Sequence, residues 1–192
     1  MRSIENPLKR NGATCSLSHE KENLLKADGI ILPGVGSFGE AVLRLKRAEI
    51  FDLVRWLAIE KRKPLLGICV GFQILFEKSD EAPDEAGLRI FEGKVSKLPA
   101  SQDFKVPNIG WESVNFKPCS RLFSGDGYFY FANSYAVMNG DCPNITGCSM
   151  GTQKFAAAVE RDNIFGVQFH PEKSQDSGDL LIDSFIKITQ QY

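Results

Sequence analysis

Cys69 lies in Gly67-Ile68-Cys69-Val70-Gly71, between the apolar run Pro64-Leu65-Leu66-Gly67-Ile68 and a helical stretch beginning near Gly71. Glycines on both sides let a strand turn sharply into a helix and expose a nucleophile on a strained turn. Unpaired N–H groups at the start of that helix would favour thiolate over thiol. The same residues also fit an inert core cysteine packed between glycines. What separates the readings is a base, and the chain has only two histidines. His19, in Ser18-His19-Glu20-Lys21-Glu22, reads as solvated surface. His170 ends the apolar stretch Gly166-Val167-Gln168-Phe169-His170-Pro171-Glu172, where Pro171 fixes the turn and Glu172 follows two residues on. Alone, His170 fits a hydrogen-bonded histidine at a strand end. With Cys69 in the same chain the set becomes a thiol, a base and a carboxylate to orient that base, the equipment of nucleophilic acyl transfer.

Amide hydrolysis by such a set needs attack on the carbonyl, a proton for the departing nitrogen and fixed donors for the tetrahedral oxyanion. Cys69 would attack, the His170 imidazolium would donate, and Glu172 would hold the ring. The backbone N–H of Val70, directly after the nucleophile, is one natural oxyanion donor. The second is expected from Pro33-Gly34-Val35-Gly36, after the apolar run Gly29-Ile30-Ile31-Leu32, where glycine lets a peptide turn its N–H into the site. Taken bare, that segment is also an ordinary strand-to-helix turn. Gln73, four residues after Cys69, shares its helical face.

These motifs run through nearly the whole chain in a recognisable order: Leu32 to Gly39, Pro64 to Gln73, Val106-Pro107-Asn108-Ile109-Gly110-Trp111, Tyr128 to Tyr135 and Asn163 to Ser174. In them the chain resembles the class I, triad-type glutamine amidotransferases, and within that class the glutaminase subunits of imidazole glycerol phosphate synthase. The resemblance implies that Cys69, His170 and Glu172 hydrolyse the side-chain amide of glutamine. It implies an oxyanion hole of Val70 with Gly34 and Val35, the latter through a peptide flip on binding. It gives Gln73, Ser134 and Tyr135 to substrate binding, and Tyr130 and Lys173 to a docking face for a (β/α)8 cyclase or a related ammonia-accepting synthase. No cofactor and no metal are implied. Two positions depart from the pattern: Asn108 and Asn133 stand where the family usually has histidine. Neither asparagine can be protonated, which brings in an alternative, a paralogous subunit supplying ammonia for sugar amination in surface-glycan biosynthesis. A solitary cysteine hydrolase of the same fold and a non-catalytic interaction subunit are further readings. The first is disfavoured by Phe169 to Ser174 together with Tyr128-Phe129-Tyr130-Phe131, an exposed-looking aromatic strand, and the second by the intact triad.

The elements that must hold these residues alternate in period. Phe38 to Glu49 and Ile50 to Lys61 read as helices, with Ala41, Leu45 and Ala48 on one face and Phe51, Val54, Leu57 and Ala58 on the next. Pro64 to Ile68 reads as a buried parallel strand. Strands are expected over Leu88–Leu98, Val106–Phe116, Tyr128–Val137, Phe155–Glu160 and Ile164–Phe169. A final amphipathic helix spans Ser177 to Gln190, capped by Ser177 or Asp176, with Leu181, Phe185 and Ile188 inward. The sum is an α/β flavodoxin-like amidotransferase sandwich, a mostly parallel central sheet with an antiparallel second half. The nucleophile falls at the carboxyl end of a strand, where open α/β sheets place their sites.

A chain of 192 residues suits one domain over 1–192. Its net charge of −1 gives no footprint for nucleic acid or membrane. The absence of an 18-residue apolar run or secretory leader, with five irregularly spaced cysteines, points to a cytoplasmic protein with reduced thiols. The family's opening apolar strand has no counterpart before Ala13, where Met1 to Gly12 is mostly polar and contains Pro7. This form is therefore expected to begin with a helix or coil and to leave the strand Gly29–Leu32 open on one side. A form extended by roughly a dozen residues is expected to be the functional one, since unpaired buried backbone groups cost ~1–3 kcal/mol each.

Overall fold

The structure, a computed structural model, describes residues 2–192 and the side chains from Ile4 onward. Helices α1 (Arg2–Arg10) and α2 (Lys21–Lys26) precede strand β1 (Ile30–Gly34). Helices α3 (Phe38–Arg47) and α4 (Phe51–Ile59) lead to β2 (Leu65–Cys69) and the single turn α5 (Val70–Gln73). Strands β3 (Lys78–Ser79), β4 (Lys94–Lys97), β5 (Asn108–Phe116), β6 (Asp126–Asn133), β7 (Tyr135–Val137), β8 (Ile145–Ser149), β9 (Ala156–Arg161) and β10 (Ile164–Val167) follow. A 3-10 turn at Pro171–Lys173 and helix α6 (Gln175–Thr189) close the chain. Among the described residues no helix is long and apolar enough to cross a membrane.

Seven strands form the main sheet in the order β1-β2-β10-β9-β8-β5-β6, and β3-β4-β7 form a second, small one. The parallel part is the block β1, β2 and β10; from β10 to β6 every neighbour is antiparallel. Register within the parallel block fixes the site. Gly34 is level with Cys69, and Val167 with Ile68, so Gln168 comes next to Cys69. The middle of this block is apolar because both faces are covered: Leu65, Leu66 and Ile68 of β2 and Ile164, Phe165 and Val167 of β10 are all buried. Phe165 meets Phe185 of α6 edge-on at 6.0 Å. Behind the site Phe129 of β6 stacks on Phe169 at 4.0 Å, tying the end of the β10 segment to the antiparallel half.

Several expectations shift. On α3 the fully buried side chains are Phe38 and Val42, with Ala41, Leu45 and Ala48 only half-buried, while Val54, Leu57 and Ala58 of α4 do face the core. The strand expected over Leu88–Leu98 forms only at β4. Its first half is apolar because it folds back over the turn after α5, Leu88 N–H donating to Ile74 O and Ile90 N–H to Leu75 O. Its burial comes from loop packing, not a ladder. The Tyr128–Val137 run is two strands broken at Ser134, with β6 in the main sheet and β7 in the small one. Within β6 Tyr128 and Tyr130 turn outward, while Phe129 and Phe131 between and beyond them are fully buried. Helix α6 starts at Gln175, so Ser177 and Asp176 lie inside it. Ser174 occupies the cap position, its hydroxyl turned instead to the His170 carbonyl.

The described chain opens on α1, whose Ile4 and Leu8 are buried in the core and whose Arg10 pairs with Asp179 of α6 at 2.6 Å. Among the described residues strand β1 pairs with β2 alone and forms the sheet's edge. Beside it lies a groove of about 830 Å³, walled on one side by Ala13 to Leu17 and on the other by Gly29, Ile31 and Pro33.

Candidate active site

The carboxyl ends of β1, β2 and the β10 segment open into a cavity of about 310 Å³. Cys69 stands at its base with φ 55° and ψ −109°, a left-handed backbone that a non-glycine residue adopts only under constraint. Gly71 makes that bend possible. A Cβ there would lie 1.8 Å from the Leu32 carbonyl oxygen, so strand β1 and the turn of α5 touch backbone to backbone. Helix α5 is one turn, Val70–Gln73, beginning one residue before the expected start.

His170 follows β10 and faces Cys69. Its Nδ1 is 2.9 Å from Glu172 Oε1, and burial is outweighed by hydrogen bonds to Cys69 and Glu172 that push the imidazole up to about 9. With Nδ1 committed to the carboxylate, Nε2 is the nitrogen left for sulfur. For Glu172 burial again opposes the charge, but the hydrogen bond and field of His170 hold its carboxyl below the ordinary range. Both shifts describe the same imidazolium–carboxylate pair. Oε2 of Glu172 has no partner, so the carboxylate's one described contact is the ring.

Backbone bonds fix the ring's position. His170 N–H donates to Tyr130 O at 2.8 Å, Tyr130 N–H donates to Ser174 Oγ at 3.0 Å, and Ser174 Oγ–H donates to His170 O at 2.6 Å. This closed loop binds the 3-10 turn to β6. Lys173, on that turn, places Nζ 5.3 Å from the Tyr130 ring centre.

Of the residues singled out in the sequence, Cys69, Val70, Gly34, Val35, Gln73, Ser134, Tyr135, His170 and Lys173 all line the one cavity. Glu172 stands behind His170, and Tyr130 stands beside Lys173, outside the lining. An added Cβ at Gly34 would come 2.2 Å from the backbone nitrogen of Gly71. Gln73 donates to Tyr135 O at 3.0 Å and to Gln168 Oε1 at 3.1 Å.

The lining also includes Gly36 of the loop after β1, Ala132, Asn133 and Glu81, of which Glu81 alone lies outside every motif singled out in the sequence. Glu81 comes from the loop after β3, and its Oε2 accepts the Phe38 N–H at 2.7 Å, the first amide of α3. In a polar loop nothing in its sequence context distinguishes it. Asn133 donates to Tyr135 O at 3.1 Å while its Oδ1 has no partner. It stands directly opposite Asn108 across β5 and β6, and Asn108 Nδ2 is also unpartnered. The two departures from the family pattern are therefore one cross-strand pair.

Residues 2–188 match the model of the class-I glutamine amidotransferases. The imidazole glycerol phosphate synthase subunit HisH of Bacillus cereus is 38% identical over 197 aligned residues, covering all of this chain and 91% of that protein. The subunit of the same name from Geobacillus thermodenitrificans is 38% identical, covering 97% and 90%. Among solved structures, one described as a glutamine amidotransferase superposes with a TM-score of 0.78 at 20% identity, covering 98% of this chain and 93% of that one. The glutaminase domain of Trypanosoma brucei CTPS with bound acivicin superposes with a TM-score of 0.65 at 16% identity, covering 99% and 86%. At these identities the two structures speak for the fold.

Proposed function

The chain belongs to the class-I glutamine amidotransferases, and on that premise we propose that it is the glutaminase subunit of an imidazole glycerol phosphate synthase, residues 1–192 acting as one domain. The observation that carries the chemistry is Cys69 on its strained turn facing a histidine that hydrogen bonds to Cys69 and Glu172 hold protonated. The identity of 38% over the whole chain carries the assignment to that synthase.

Glutamine fits the cavity in one direction. Glu81 offers a carboxylate to the α-ammonium, the bend at Ser134 and Tyr135 offers backbone to the α-carboxylate, and the side-chain amide then reaches Cys69. Sulfur attacks the amide carbon. The oxyanion is held by the Val70 N–H and by a peptide of Gly34–Val35, each such donor being worth ~3 kcal/mol in the transition state. The His170 imidazolium passes its Nε2 proton to the amide nitrogen, ammonia leaves, and a thioester remains on Cys69. Neutral His170 then takes a proton from water, which attacks the thioester, and glutamate departs with sulfur restored. Ammonia passes to the (β/α)8 cyclase docked beside Tyr130 and Lys173. The setting is the cytoplasm.

A second reading rests on Asn108 and Asn133: a paralogous subunit whose ammonia goes to sugar amination. One reconstitution separates the two. Mixed with an imidazole glycerol phosphate synthase cyclase subunit, the chain should form a complex that turns over glutamine. Cys69→Ala should abolish that turnover while free ammonia still supports synthesis. No complex and no stimulated turnover with the cyclase would remove the first reading, and glutamine hydrolysis by the alanine variant would remove the chemistry.

A further inference from the structure

Gln168 is fully buried directly after β10, and its primary amide must find partners there. It finds them in two active-site residues. Its Oε1 accepts from Gln73 Nε2 at 3.1 Å, and its Nε2 lies 3.9 Å from Cys69 Sγ. Parallel register places it there, one step beyond the Val167–Ile68 pair.

The direction of this amide is set from outside. Tyr135 O is a backbone carbonyl and can only accept, so Gln73 must turn its NH2 toward it. The second hydrogen of that NH2 then faces Gln168, which must answer with oxygen. The Gln168 NH2 is thereby left for the sulfur, and a flipped amide would set two donors against each other. The line runs from the substrate bend at Tyr135 through Gln73 and Gln168 to Cys69. An N–H donor at the sulfur fixes where its lone pairs point and so where it attacks.

We propose that Gln168 is a positioning residue for the nucleophile: its amide, oriented by Gln73 from the Tyr135 carbonyl, donates to Cys69 Sγ and holds the sulfur in place facing His170. The proposal rests on Cys69 being the nucleophile of the preceding reading. It deepens that reading by giving a role to a residue outside the triad and the oxyanion hole.

The test is alkylation of Cys69 by iodoacetamide near neutral pH, followed by mass spectrometry of the Cys69 peptide, which separates it from the other four cysteines. Three full-length variants are compared with wild type, each checked by thermal melting. Gln168→Met keeps length and loses the donor. Gln168→Glu keeps the acceptor for Gln73 but turns oxygen toward sulfur. Gln73→Met leaves Gln168 untouched and frees it to flip. Each should slow Cys69 alkylation about tenfold, the loss expected when a hydrogen bond to the reacting atom is removed. In the complex the Gln168 variants should lower kcat by a similar factor with KM nearly unchanged, the mark of an interaction that serves the reacting sulfur more than substrate binding. Wild-type alkylation in any folded Gln168 variant overturns the proposal. If both Gln168 variants fail to fold, Gln73→Met decides: wild-type alkylation there overturns it and slowed alkylation upholds it. Alkylation needs no glutamine. A wild-type protein that hydrolyses none with any partner therefore sinks the proposed function, whereas an unchanged alkylation rate sinks this inference alone.

Discussion

At the scale of single residues, the site is a set of groups whose protonation is set by neighbours. His170 is pushed up to about 9 from an ordinary 6.5. It therefore stays protonated through neutral pH, and the donor needed by the leaving amide is lost only as pH rises through about 9. The glutaminase rate of the complex should show an alkaline limb near that value. The same shift adds stability that is fully present below about 6.5 and fades as pH rises through about 9. Melting curves of wild type and His170→Gln should accordingly converge across that window; a gap that widens with pH would contradict the ion pair. Ser174 tests the backbone that carries the ring. Ser174→Ala leaves the Tyr130 N–H without its partner, which costs ~1–3 kcal/mol, or roughly 2–10 °C of melting temperature. The grouping of Cys69, His170 and Glu172 was legible in the sequence because the chain has two histidines and five cysteines, and each of the three stood in a motif with its own backbone constraint. Gln168 stood in the same stretch without a role, and the one signal was a polar residue inside an apolar strand. Glu81 had no signal, because its meaning comes only from the fold bringing β3 to the mouth of the cavity.

Among the elements, the turn that carries Cys69 rests on backbone meeting backbone. Gly67, Gly71 and Gly34 bring β2, α5 and β1 within backbone contact. Gly71→Ala would drive a methyl into the Leu32 carbonyl, where neither side can yield because both are backbone. The expected cost is upwards of ~3 kcal/mol, measured by denaturant unfolding, with glutaminase activity lost even in the folded fraction. A variant with wild-type stability would show that β1 and α5 can part without harm. This block was readable because buried parallel strands are short continuous apolar runs. The antiparallel half was less so. Strand β8, Ile145-Thr146-Gly147-Cys148-Ser149, lacks alternation and pairs with β9 through register shifts, so no period marks it. Helix α1 carries Pro7 and a polar face, and only the spacing of Ile4 and Leu8 shows its inward side. The break at Ser134 was hidden because Tyr135-Ala136-Val137 resumes strand-forming residues straight after it while the chain changes sheets.

For the whole molecule, the exposed aromatic face of β5 and β6 lies beside the cavity's rim. Ile109, Trp111 and Tyr128 are exposed there, and Trp111 meets Tyr130 edge-on at 6.1 Å. Tyr130 is in turn covered by Lys173 of the turn that carries Glu172. A partner docked on this face would press on the same turn that sets the triad, which gives a physical route for coupling its ligand state to glutamine hydrolysis. A glutaminase running alone would waste glutamine, so the isolated chain should turn over slowly and the cyclase with its ligand should stimulate it, with a coupling of ~1–3 kcal/mol for binding. Tyr130→Ala and Lys173→Ala should then separate two quantities that wild type keeps equal. Glutamine hydrolysed should exceed product formed by the cyclase, because ammonia escapes at the opened rim, while free ammonia supports the cyclase as before. Steady-state assay of glutamate and cyclase product in the same reaction reads both. If the variants keep a ratio of one, Tyr130 and Lys173 do not border the ammonia exit. Full activity of the isolated chain would leave the partner face without a regulatory part.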